Sequence, residues 1–176
     1  MEVCIPLVEE VRELAARAEK QGSAIAFQST LAAAAQTVQR ALRREEVAEE
    51  AALSLAQQDA LRGMSGELRA VSDVLQASLD HQGRCLMPAD SHAKSWSARL
   101  ARKVRAPRKP DPVHRPTWWF SLTEAIETLE EGADRMDALA SGQAAEAPSR
   151  ALGQATADLL RSHQDRLLSE ADRWID

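Results

Sequence analysis

Apolar residues recur three and four positions apart along nearly the whole chain. Leu7, Val11, Leu14 and Ala18 make the first stripe, widened by Val8 and Ala15. That spacing places side chains on one face of a helix. Pro6 suits a first helical turn, where its missing N–H would have had no intrahelical partner. Glu9 and Glu10 favour the same end of the helix dipole. Gly22 is a natural stop, and Ser23 can cap the next element.

From Ser23 to Arg62 the chain has no glycine or proline. Phe27, Leu31, Ala35, Val38 and Leu42 form a second stripe. The octet "RREEVAEE", Arg43 to Glu50, then interrupts it with six charges, and the stripe resumes out of phase at Ala52, Leu55 and Ala56. The absence of a helix breaker predicts one helix of about forty residues with a solvated middle, laced by Arg and Glu pairs three and four apart. The competing reading is two helices with a tight corner near Glu45.

Gly63 and Gly66 read as punctuation, and Ser65 as the start of a helix carrying Leu68, Val71, Leu75 and Leu79. Gly83 and Pro88 close it. Asp90 or Ser91 can cap a short helix with Ala93, Trp96, Leu100 and Val104 on one face. "APRKPDPVHRP" is not helical, because its four prolines impose extended or polyproline II backbone. "SLTE" then reads as a capping box, with Ser121 as N-cap and Glu124 three positions on. Phe120 falls just before the cap, where it can staple against the first turn near Ala125. The helix that follows carries Leu122, Ile126, Leu129, Ala133, Met136 and Ala140. A last helix, from about Arg150 to Asp176, carries Leu152, Thr156, Leu159, His163, Leu167, Ala171 and Trp174.

The pattern therefore predicts an all-α protein, a bundle of five to six amphipathic helices with a long second helix and a Pro-rich basic loop. Residues 1–105 hold the N-terminal helices. Residues 106–120 form the loop ending in Trp-Trp-Phe. Residues 121–176 hold two helices packing on the same bundle. No internal repeat of convincing period appears, and no heptad run lasts long enough for a pure coiled coil.

Composition sharpens this picture. Of 176 residues, only 3% are aromatic and none is tyrosine, so the core must be built from Leu, Val, Ile and many Ala. Alanine has the best helix propensity and lets helices approach closely. Cys4 and Cys85 belong to no Cys-x-x-Cys pair or zinc spacing and read as two reduced thiols. No basic leader or membrane-length apolar run is present, so the expected location is cytoplasmic.

Net charge is −5, unevenly spread. Residues 99–115 hold seven basic side chains and one acidic one, between acidic regions on both sides. This island runs directly into Trp118, Trp119 and Phe120. Aromatic anchors beside positive charge suit a partner with an acidic surface. The expected partner-binding residues are Arg99, Arg102, Lys103, Arg105, Arg108, Lys109, Arg115, Trp118 and Trp119. The same residues would also suit phosphates or anionic lipid. A third reading has the basic residues solvated and the tryptophans anchoring the loop into the bundle. Phe120 and one tryptophan are expected to be pinned at the helix start, leaving the other exposed.

Catalytic signals are missing. There is no glycine-rich phosphate loop, nucleophile elbow or His-Glu-x-x-His. His163 lies on an apolar stripe and reads as a hydrogen-bonded core residue. A metal site from Asp80, His81, Asp90 and His92 has no supporting spacing. No catalytic, cofactor or metal residue is assigned. The expectation is a protein-interaction module (adaptor, effector, inhibitor or chaperone-like) with nucleic-acid or anionic-membrane binding through residues 99–120 as the alternative. Any stripe left unpaired could serve homo-oligomerisation.

Overall fold

The computed structural model describes residues 4–86, 117–142 and 146–175. All of the regular structure in them is helical: α1 (Cys4–Lys20), α2 (Ala24–Ala51), α3 (Leu55–Leu86), α4 (Trp118–Ser141) and α5 (Ala147–Ile175). The basic residues 99–115, the expected short helix before them and the proline-rich stretch lie outside the described residues. So do Asp90 and His92.

Neighbours in sequence pack most extensively, α2 against α3 and α4 against α5. α2 and α5 each touch all four other described helices and form the centre of the bundle. The stripes read from the sequence meet there. Val11, Leu14 and Ala18 are buried, as are Phe27, Leu31, Ala35, Val38 and Leu42. Leu68, Val71 and Leu75 of α3 join them, with Leu122, Leu129 and Met136 of α4 and Leu152 and Leu167 of α5.

Gly22 ends α1 with φ 71°, a left-handed conformation that glycine adopts without a Cβ penalty. The Ser23 N–H donates to the Ala18 carbonyl at 2.9 Å and the Gly22 N–H to that of Glu19 at 3.2 Å. These two bonds satisfy carbonyls the helix end would leave open. The Ser23 side chain does not cap α2; its hydroxyl donates to the Ala18 carbonyl instead.

The single helix expected over residues 23–62 is not formed. The chain breaks at Ala52–Ser54, where Ala52 takes φ −57° and ψ 138°. The cause is local. The Ser54 hydroxyl accepts a bond from the Gln57 N–H at 3.2 Å, and the Gln57 side-chain oxygen accepts from the Leu53 and Ser54 N–H groups at 2.9 and 3.1 Å. This reciprocal arrangement caps α3. The corner therefore lies after the charged octet rather than near Glu45. The stripe expected to resume at Leu55 and Ala56 belongs to a new helix, whose first residues are exposed.

Gly63 and Gly66 lie inside α3 and do not interrupt it. A Cβ at either would meet nothing within 4 Å, whereas at Gly132 of α4 it would stand 2.9 Å from Thr37 Cγ2 and 3.2 Å from Leu160 Cδ1. Opposite outcomes follow. Gly63→Ala or Gly66→Ala stabilises the protein by about 0.5–1 kcal/mol, through lost unfolded-chain freedom and better helix propensity. Gly132→Ala destabilises it by about 1–3 kcal/mol, because a β-branched neighbour cannot yield cheaply. Thermal unfolding of the three variants distinguishes these effects.

α4 also departs from expectation. It begins at Trp118, with Thr117 as N-cap, so Ser121 and Glu124 do not form a capping box. Ser121 is buried within the helix, and its N–H donates to the Thr117 carbonyl at 3.1 Å.

Candidate interaction surface and buried polar centre

α4 runs antiparallel to α2. Arg44 meets Glu124 at 2.7 Å and Arg40 meets Glu131 at 4.0 Å, so moving down α2 means moving up α4. Continuing that register brings the start of α4 beside Ala51 and the α2–α3 corner. The last turn of α5 arrives at the same end, since Trp118 and Trp174 have ring centroids 5.3 Å apart at an interplanar angle of 58°.

The three consecutive aromatics divide sharply. Trp118 is 3% exposed and belongs to the core. Trp119 is 45% exposed and Phe120 57% exposed. The helix explains the split: successive residues point about 100° apart, so only one of the three faces the bundle. Phe120 was expected to be pinned and is not, because the helix starts four residues earlier and turns it outward. Trp118 is enclosed by the bundle, while Trp119 stays at the surface. Leu53 and Leu55 of the corner are 76% and 77% exposed. Sequence reasoning missed this pair, since Leu55 was read as part of a buried stripe. One end of the bundle thus displays four large apolar side chains. Arg115 of the basic island is two positions ahead of Thr117 in the chain.

The charged octet of α2, read as a solvated middle, has partners on three helices. Arg44 pairs with Glu124 of α4. Glu46 accepts from Arg69 of α3 at 2.7 Å, and Glu49 from Arg62 at 3.0 Å. The Glu46 hydrogen bond and charge raise the Arg69 pKa further above its ordinary value. Asp137 of α4 does the same for Arg161 of α5 through its hydrogen bond.

Glu45 is the member that enters the core. It is fully buried, and its Oε1 lies 3.3 Å from Nδ1 of His163, which is itself 1% exposed. Nε2 of His163 stands 3.6 Å from Oε2 of Glu67, and that oxygen accepts from Arg166 at 2.5 Å. The expectation that His163 is a hydrogen-bonded core residue agrees with this geometry. Its partner is 118 positions away, beyond the reach of local pattern reading. An imidazole facing a carboxylate is the material of acid–base chemistry. Here both groups are buried inside the bundle. The arrangement joins α2, α3 and α5 at one level.

Between α1 and α3 runs a groove of about 690 Å³, floored by Val11, Ala15, Val74 and Ala77 and edged by Arg12, Asp73 and His81. Among the described residues no group of three or more His, Cys, Asp or Glu side chains is placed to hold a metal ion. No helix among them is long and apolar enough to cross a membrane. The chain matches no protein-family model, and neither a curated protein nor a solved structure is significantly similar to it.

Proposed function

We propose that this helical bundle is a protein-interaction module, of adaptor, effector, inhibitor or chaperone type, acting in the cytoplasm by binding rather than by catalysis. The observation that carries the reading is the exposure of Trp119 and Phe120, beside Leu53 and Leu55, at the end of the bundle where the basic island joins α4. Isolated exposed apolar side chains are ordinary on a protein surface, but four large ones at one end suit a contact with another protein. Aromatic side chains supply large contact area at low entropic cost, and tryptophan is enriched among residues that dominate binding energy. Arg99, Arg102, Lys103, Arg105, Arg108, Lys109 and Arg115 would steer an acidic partner surface toward those anchors. A homo-oligomer would use the same apolar end.

The alternative is nucleic acid or anionic membrane, resting on the same seven cations followed by an exposed tryptophan. The two readings differ in their response to salt and nuclease. Phosphate binding weakens steeply with salt as counterion release is lost.

The test is capture from source lysate with the intact protein, with Trp119→Ala/Phe120→Ala, and with a variant carrying Gln at all seven basic positions. The module reading expects one protein species held by the intact form after nuclease treatment and lost from both variants. Loss of capture on nuclease treatment would move the assignment to nucleic acid. Equal capture by all three forms would overturn the proposed surface. The double aromatic variant should remain folded, because truncating each of these largely exposed side chains costs less than about 1 kcal/mol. Circular dichroism checks that point.

A further inference from the structure

We draw no further inference here: the strongest candidate, the groove between α1 and α3 floored by Val11, Ala15, Val74 and Ala77, is an unpartnered face and nothing in the structure shows what covers it.

Discussion

Replacing His163 with leucine lowers the unfolding free energy by about 3–5 kcal/mol, the usual result of removing one partner from a buried pair. The loss exceeds that of a simple cavity. Glu45 is fully buried, and its Oε2 has no hydrogen-bond partner among the described residues. Without the imidazole, Oε1 loses its hydrogen-bond neighbour among the described residues while staying enclosed. The double variant Glu45→Leu/His163→Leu removes the buried polar atoms together. It recovers most of the loss and can equal the parent, since replacing both partners of a buried polar contact by apolar groups of similar shape is often neutral or stabilising. Urea unfolding of the parent, both single variants and the double variant completes the cycle. If each single variant costs less than about 1 kcal/mol and the effects simply add, Glu45 and His163 are not energetically coupled, and the polar centre is incidental.

Trp118→Ala costs about 3–5 kcal/mol, the range for truncating a buried aromatic side chain. Trp119→Ala, one position on, costs less than about 1 kcal/mol because much of its ring already faces solvent. At about 2–4 °C per kcal/mol for a chain of this size, the first variant melts roughly 6–20 °C below the parent and the second within a few degrees of it. Trp118 closes the end of the bundle against Trp174, while its Nε1 has no hydrogen-bond partner among the described residues. Its contribution among the described residues is packing and ring contact. Equal melting temperatures for the two variants would show that the end of the bundle is not closed by Trp118.

These two results mark what pattern reading could and could not deliver. The helical stripes were legible because burial of one face repeats every three or four residues, and the core follows them in α1, α2, α4 and α5. The last helix was legible nearly to its ends, from Leu152 to Ala171. The corners were harder, because one signal appears twice with different outcomes. "SLAQ" at Ser54–Gln57 and "SLTE" at Ser121–Glu124 both have the form of a capping box. The first makes the reciprocal bonds and starts α3. The second lies inside α4, where burying Trp118 against Trp174 extends the helix toward the N-terminus and outweighs the local cap. A cap contributes about 1 kcal/mol, and a buried tryptophan several times that. The first cap falls in a stretch with no glycine or proline, whose absence alone predicts continuity. Helices end wherever their terminal groups are satisfied, and serine with glutamine suffices. Glycines 63 and 66 misled in the opposite sense: a helix held by packing on one side tolerates glycine on the other.

The octet shows a different limit. Arg43 to Glu50 carries the composition of a solvated surface, and nothing in local order tells which of its four glutamates enters the core. The selection is made by α5, which brings His163 to Glu45. The exposed apolar end was partly legible too. One exposed tryptophan was expected at Trp118 or Trp119, while Leu55 was assigned to a buried stripe and Leu53 to no face at all.

The placement of α2 also bears on the order of events in folding. α2 with α3, and α4 with α5, are helices adjacent in sequence that pack closely, and such short-range contacts form early and rapidly. The bonds from Arg44 to Glu124 and from Glu45 to His163 span 80 and 118 positions. They can form only when the two hairpins dock. Substitutions at Arg44 and Glu45 should therefore leave the refolding rate almost unchanged and accelerate unfolding, whereas substitutions between α4 and α5 should slow refolding. The segment that looked most like surface in the sequence would then act as the latch that sets the lifetime of the native state.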